Sequence, residues 1–331
     1  MNPVQAGTQS DRDLYALVEA FFGTSFSTDN PVITEAVRRM LAAGGKRLRP
    51  RVCLLAAEAA GADPREHLPL AAYMELIHVG TLIHDDVVDG ARTRRGVNAT
   101  AVDFGNRVSV LAGDYLFAWI FKNVTASYAP PVPNLLASTL ADITDGEVLQ
   151  HRAVGNLDLP LGDYVEIAIK KTAALFAASA ECGAIVAGGS ARRIRAVRDF
   201  GLYYGIAFQM LDDLLDFTAS EAELGKPVGG DLRERKMTVP VILALERGGP
   251  ELRAMLAAVY SPRPSGKGTE RIARLVDAVG AAGGFARTRE AIATYAERAQ
   301  ASLAPLGTAP ARAELVALAD ALVRDSARRA R

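Results

Sequence analysis

The run Leu76-Ile77-His78-Val79-Gly80-Thr81-Leu82-Ile83-His84-Asp85-Asp86-Val87-Val88-Asp89 decides how this chain is read. An apolar stretch leads directly into three carboxylates, and at 3.6 residues per turn Asp85 and Asp89 share one helix face. Like charges at that spacing repel by roughly 0.2–0.5 kcal/mol in a solvated helix, and by more once desolvated. A cation between them offsets the repulsion. The spacing recurs at Asp212-Asp213-Leu214-Leu215-Asp216, after the apolar stretch 203–211. One such motif is a weak signal, because an acidic helix end has the same form. Two, each closing an apolar helix, do not read as solvated faces. Hard oxygen donors favour Mg2+, which keeps several waters and binds through a few carboxylates plus substrate phosphates.

The surrounding sequence is helical in character. Half of the 331 residues are hydrophobic and only 6% aromatic, with alanine prominent, which favours helices over sheets. Asn30-Pro31 reads as an N-cap with a first-turn proline, Val32, Ile33, Ala36, Val37, Met40 and Leu41 form one face, and Gly44-Gly45 ends that helix. Asp63-Pro64-Arg65-Glu66 resembles a capping box opening the next long helix. Further helices are expected at 107–126, 134–154, 163–188, 191–217, 238–247, 250–259, 269–281, 284–304 and 311–328. The segments 90–105, 155–162 and 218–236 read as charged loops. The segment 261–268 reads as a solvated connection and the sole weak candidate for a domain boundary.

Lys plus Arg equals Asp plus Glu at 38 each, so no global field draws the chain to nucleic acid or an anionic membrane. Any anion site must be local. Cys53 and Cys182 stand alone in apolar contexts, as inert buried thiols of a reducing compartment do. The polar start 1–13 lacks the features of a secretory signal, and no uncharged apolar run is long enough to span a bilayer. A cytoplasmic location is the expectation.

Basic residues stand beside the acidic motifs: Gly44-Gly45-Lys46-Arg47-Leu48-Arg49-Pro50, Arg92-Thr93-Arg94-Arg95-Gly96, Lys170-Lys171-Thr172, Gly225-Lys226-Pro227 and 231–236. Each alone reads best as a solvated loop or helix face. Their placement next to two metal-type motifs reverses that judgement, since arginine grips phosphate oxygens bidentately and lysine supplies a compact charge. His78 falls seven positions before Asp85, on nearly the same face. His84 fits either a core histidine or a partner of the aspartates.

In order, and over roughly residues 28–245, these motifs resemble those of the trans-isoprenyl diphosphate synthase (polyprenyl synthetase) family. Here they read GGKRLRP, ELIHVGTLIHDDVVD, RTRRG, GDYLF, KKTAALF, FQMLDDLLD and GKPVGGDLRERKMTVP. The resemblance implies the all-α isoprenoid synthase fold: a single domain over 1–331, a large helical bundle around a deep central cavity, with C-terminal helices in 250–329. It implies Mg2+-dependent condensation of isopentenyl diphosphate with an allylic diphosphate, with three Mg2+ ions when substrate is bound. Lys46, Arg49, His78 and Arg95 would hold isopentenyl diphosphate, and Arg94, Lys171, Thr172, Gln209, Lys226 and Lys236 the allylic diphosphate. Asp85, Asp89 and Asp212 would be the main metal ligands, with Asp86, Asp213 and Asp216 beside them or as further ligands. Asp85, Asp86, Asp89, Arg94, Lys171, Asp212 and Lys226 would carry the ionisation step.

Family members are usually homodimers, and the apolar product implies at most transient membrane contact. Short-chain members often carry bulky aromatics where Gly80 and Thr81 stand, and bacterial ones a two-residue insertion between the aspartates. Neither is present, so a heptaprenyl to decaprenyl product is expected. Phe117, Trp119 and Phe121 could still plug the tunnel, which keeps a farnesyl or geranylgeranyl product as the alternative. A terpene cyclase is disfavoured by DDLLD and by GGKRLRP, and a non-catalytic partner subunit by the completeness of the motifs. An incidental metal-binding helical protein would show no Mg2+-dependent diphosphate release.

Overall fold

The computed structural model describes residues 9–220, 228–261 and 268–328. Its helices are α1 Gln9–Ser25, α2 Pro31–Ala42, α3 Leu48–Ala60, α4 Leu68–Val88, α5 Thr100–Phe104, α6 Asn106–Ser127, α7 Pro131–Ala153, α8 Leu161–Ala168, α9 Ala174–Val186 and α10 Ala191–Thr218. Six more follow: Gly230–Arg233, Val239–Leu245, Gly249–Tyr260, Gly268–Ala281, Gly284–Ser302 and Pro310–Arg328. Among the described residues the only sheet is a hairpin, Thr93–Arg94 paired antiparallel with Val97–Asn98. The fold is all-α, as the composition indicates.

The chain divides into two compact units. The first comprises 1–140, 178–198 and 308–312, the second 141–177, 199–307 and 313–331; the boundaries after 140, 177, 198 and 312 fall inside helices, and the one after 307 in a turn. The core of the second includes an aromatic cluster in which Phe176 packs edge-on to Tyr204 at 5.2 Å, and Phe200 stacks on Tyr204 at 5.6 Å.

Local chemistry explains the helix starts. Asn30 caps α2 through its side chain, accepting from the Val32 and Ile33 amides, and Pro31 fills the first turn where a missing N–H costs nothing. The capping-box expectation at Asp63 needs a correction. Asp63 accepts from the Arg65 amide, but what it opens is a short 3-10 turn, Pro64–His67. The Leu68 amide takes the Arg65 carbonyl, and Pro69 has no N–H with which to continue one helix through this point. The long helix α4 therefore begins afresh at Leu68.

Two more expectations changed. The segment 90–105 holds the hairpin and α5 rather than an open loop. The helix expected over 163–188 is interrupted by a π turn, Ile169–Ala173, closed by the Ala174 amide on the Ile169 carbonyl.

In the first unit α4 and α6 pack through a reciprocal pair of glycines. A Cβ on Gly80 of α4 would lie 2.6 Å from Cε1 of Phe117 on α6, and a Cβ on Gly113 of α6 would lie 2.2 Å from Nε2 of His84 on α4. The two rings meet edge to face at 5.6 Å. Each helix thus supplies an aromatic knob and a side-chain-free hole, which sets their register. Gly113→Ala displaces His84 and its contact with the Val110 carbonyl, 3.1 Å away. A loss of about 1–3 kcal/mol is expected, read as a lower Tm in thermal unfolding. An unchanged Tm would show that this contact does not hold the helices.

Candidate active site

The first acidic motif occupies the C-terminal turn of α4, with Asp89 as C-cap. Carboxylates there face the negative end of the helix dipole, an arrangement disfavoured by about 0.3–1 kcal/mol per charge unless cations answer it. Asp85 is half-buried and Asp89 exposed, while Asp86 turns inward and is fully buried. One cation is supplied by the chain itself: Arg94 reaches Asp86 Oδ1 through Nε at 2.9 Å and through a terminal nitrogen at 2.5 Å. Arg94 is delivered by the hairpin, whose turn residues Arg95 and Gly96 have φ of 51° and 81°. Two successive positive φ values are the requirement of a type I′ turn.

Around this motif the first unit concentrates positive charge. Lys46 is exposed and Arg49 buried, on either side of the start of α3. Burial, followed by the fields of Arg49, Arg95, Arg94 and Arg47, pushes His78 well below the usual histidine range. Its imidazole is therefore neutral at pH 7, and four guanidinium groups act on one point of α4. Thr81 donates its hydroxyl to the His78 carbonyl at 2.8 Å. His84 belongs to the α6 contact, with Asp114 at 3.5 Å.

The second motif lies near the end of α10 in the second unit. Asp212 is exposed, whereas Asp213 and Asp216 are buried. Asp213 anchors a chain of contacts. It accepts from the Tyr164 hydroxyl at 2.6 Å, from the Gln209 amide at 2.8 Å and from the Val239 backbone at 3.4 Å. Gln209 in turn accepts from the Thr172 hydroxyl at 2.6 Å. Burial pushes the Asp213 carboxyl up to about 6 against the hydrogen bonds of Tyr164 and Gln209. Asp216 accepts from the Asp231 amide at 2.9 Å and so holds the start of the helix Gly230–Arg233.

Lys171 and Thr172 sit in the π turn, a form of helix that recurs at functional sites because the extra residue redirects side chains. Close neighbours hold the turn: a Cβ on Gly146 would lie 2.6 Å from the Lys171 nitrogen, and one on Gly205 would lie 2.5 Å from the Ala173 Cα. Lys171 is paired with the Glu147 carboxylate and donates to Gln150 at 2.6 Å. Lys236 pairs with Glu234 at 2.6 Å, and its carbonyl accepts from Tyr260 at 2.8 Å. Lys226 lies outside the described residues.

Sequence reasoning missed Tyr164, Glu147, Gln150 and the partners of Arg47. The spacing of Glu147 and Gln150, three apart on α7, offered a signal; Tyr164 offered none. Among the described residues no three His, Cys, Asp or Glu side chains gather into a metal cage. Mg2+ does not demand one, because substrate phosphates and water complete its shell. The half-buried Asp85 and the exposed Asp89 and Asp212, all oxygen donors, fit that mode of binding.

Each unit thus joins outward carboxylates to lysine, arginine or hydroxyl groups in an all-α protein, the donor set that a diphosphate bound through divalent metal would require. Residues 30–279 match the family model described as polyprenyl synthetase. The octaprenyl diphosphate synthase of Escherichia coli (strain K12) is 36% identical over 302 residues, 91% of this chain and 93% of that one. A short chain isoprenyl diphosphate synthase of Methanothermobacter thermautotrophicus is 39% identical over 244 residues, 72% of this chain and 74% of its own. The crystal structure of a decaprenyl diphosphate synthase from Rhodobacter capsulatus superposes with a TM-score of 0.89 at 38% identity, covering 98% of both chains.

The chain belongs to the polyprenyl synthetase family. It is a prenyltransferase of the isoprenoid synthase fold, acting on isoprenoid diphosphates in a family that uses divalent metal. Among the described residues no helix is long and apolar enough to cross a membrane.

Proposed function

We propose that the chain synthesises all-trans polyprenyl diphosphates of heptaprenyl to decaprenyl length by Mg2+-dependent condensation of isopentenyl diphosphate with an allylic diphosphate. The observation that carries this reading is that Arg95 reaches the Gly44 carbonyl of the loop that bears Lys46 and Arg49, in the first unit that also holds Asp85 and Asp89. A second diphosphate site beside the metal-type carboxylates is what condensation requires and cyclisation does not.

Lys46, Arg49, His78 and Arg95 would hold isopentenyl diphosphate, and Arg94, Lys171, Thr172, Gln209, Lys226 and Lys236 the allylic diphosphate. Mg2+, three ions with substrate bound, would neutralise the departing diphosphate, with Asp85, Asp89 and Asp212 as ligands. Placed cations of this kind lower a barrier by several kcal/mol each. In the reaction the allylic C1–O bond breaks, C4 of isopentenyl diphosphate bonds to C1, and a proton leaves C2 for the released diphosphate. Lys171, held by Glu147 and Gln150 without substrate, is pre-placed to exchange these partners for phosphate oxygens. Asp86, Asp213 and Asp216 hold Arg94, Gln209 and the helix Gly230–Arg233 in position.

The octaprenyl and decaprenyl synthases above match nearly the whole chain at 36% and 38% identity, which supports a long product. A single catalytic domain working as a cytoplasmic homodimer completes the reading. Exposed Leu111 and Tyr115 on α6 are consistent with a paired surface. Chromatography of products made from farnesyl and isopentenyl diphosphates with Mg2+ tests the proposal. No incorporation would overturn the function, and a C15 or C20 end product would overturn the length.

Protonation gives a separate check. Bound diphosphate offsets the arginine field, so the pKa of His78 rises on binding and a proton is taken up between the free and bound values. Isopentenyl diphosphate should bind more tightly as pH falls through the bound pKa. Titration calorimetry in buffers of different ionisation enthalpy should show this uptake in the wild type and less of it in His78→Gln. Equal proton counts in the two proteins would remove His78 from the site.

A further inference from the structure

Three cations lie within four residues at 46–49, yet the middle one points the other way. Lys46 is exposed, whereas the Arg47 side chain turns into the core with 3% residual exposure of the residue. Its Nε donates to Glu19 Oε1 at 2.6 Å, and its terminal nitrogens donate to Glu75 Oε1 at 3.2 Å and to the Leu41 carbonyl at 2.9 Å. The Phe22 ring lies 5.0 Å from the guanidinium carbon. Burial works against the charge, but the hydrogen bond to Glu19 and the field of Glu75 hold the Arg47 pKa above the ordinary arginine value.

The backbone here is held as tightly as the side chain. Arg47 has φ 46°, in the left-handed region that a non-glycine residue keeps only when its surroundings over-determine it. The Arg95 guanidinium donates to the Gly44 carbonyl, and the Tyr15 hydroxyl lies 3.5 Å from the Gly45 carbonyl. A Cβ on Gly45 would meet Arg95 at 2.8 Å and Arg47 at 3.3 Å, so two guanidinium groups close on this glycine. Glu75, 2% exposed, stands three residues before His78 on the same side of α4, and its charge also acts on Arg95. One buried carboxylate therefore bears on the 44–49 loop, the hairpin arginine and the histidine helix together.

We infer that the ion triad Glu19–Arg47–Glu75 is a positioning device that sets Lys46, Arg49 and Arg95 for the diphosphate of isopentenyl diphosphate. This rests on the assignment of those residues proposed above. Arg47 touches no substrate in this scheme; it fixes where its neighbours point. Glu19 also gives α1 a role, because a helix with no substrate residue supplies one arm of the clamp. Two carboxylates matter because the planar guanidinium fork is gripped from two directions, which a lysine cannot reproduce.

The test separates positioning from mere stability. Replacing all of a buried ion pair by apolar groups of similar volume is often tolerated, whereas removing one partner is not. In Arg47→Met/Glu75→Met, where Glu19 keeps access to water through its 34% exposed side chain, the Tm is expected to lie close to that of the wild type. KM for isopentenyl diphosphate should stay raised by about tenfold or more, while KM for farnesyl diphosphate moves less than about twofold. Glu75→Gln, which keeps shape and loses charge, should show the same selective rise, and Arg47→Lys should not restore it. If the double variant, or Glu75→Gln where the double variant does not fold, binds isopentenyl diphosphate like the wild type, the triad is structural only and the inference falls. Lys46→Ala is the control: an unchanged KM there overturns the assignment of the loop, whereas a raised KM there with normal triad variants overturns the triad alone.

Discussion

Asp85→Asn lowers kcat for isopentenyl transfer by about 10²–10⁴-fold and costs less Tm than the same change at the fully buried Asp86. Asp85 is half-buried at the C-terminal turn of α4, where its charge opposes the helix dipole and lies on the same face as Asp89. Removing that charge harms chiefly the state that carries metal and diphosphate. Excess Mg2+ should recover part of the loss. A variant with normal kcat would take Asp85 out of the metal site.

Its neighbour should behave in the opposite manner. Asp86 is fully buried, and its Oδ1 takes two nitrogens of Arg94. Asp86→Asn leaves that guanidinium without its counter-charge, at a cost of about 1–3 kcal/mol. Tm should fall, KM for the allylic substrate should rise as Arg94 loses its place, and added Mg2+ should recover nothing. Stability and metal response together separate two adjacent aspartates that read alike in a sequence.

That separation marks the limit of what the residues reveal before folding. The helices were legible because their starts carry chemistry of their own, as Asn30 and Pro31 do, and because apolar periodicity persists between them. The π turn was not, since Ile169-Lys170-Lys171-Thr172-Ala173 obeys ordinary helix preferences and its shape is held by the close approach of Gly146 and Gly205. The hairpin escaped because its strands are two residues long and its turn is Arg-Gly rather than Asn-Gly. At the site, the six aspartates were legible and their division was not. Positions 85 and 86 differ by about 100° around a helix, and only packing decides which of them faces Arg94. The same holds for Asp213, whose inward turn depends on Tyr164, 49 residues earlier. Arg47 looked like Lys46 and Arg49 because its two carboxylates lie 28 residues away in either direction.

Gly80→Phe shortens the end product by several isoprene units, and the packing of α4 on α6 says how. A Cβ at this position already lies 2.6 Å from the Phe117 ring, so two phenyl groups cannot share the space. Phe26, Tyr73 and Trp119 interlock edge to face at 5.3 and 5.9 Å, a cluster with no slack. Phe117, whose one ring contact among the described residues is with His84, is the one to give way. Over-packing of this kind costs about 1–3 kcal/mol, so a lower Tm accompanies the change. If Gly80 lies beside the growing chain, the displaced ring obstructs it, and Phe117→Ala in the Gly80→Phe background should restore the long product by giving the new ring the vacated volume. Chromatography of products from farnesyl diphosphate reads both variants. A wild-type product length in Gly80→Phe would show that glycine stands at position 80 to admit Phe117, and that chain length is set elsewhere.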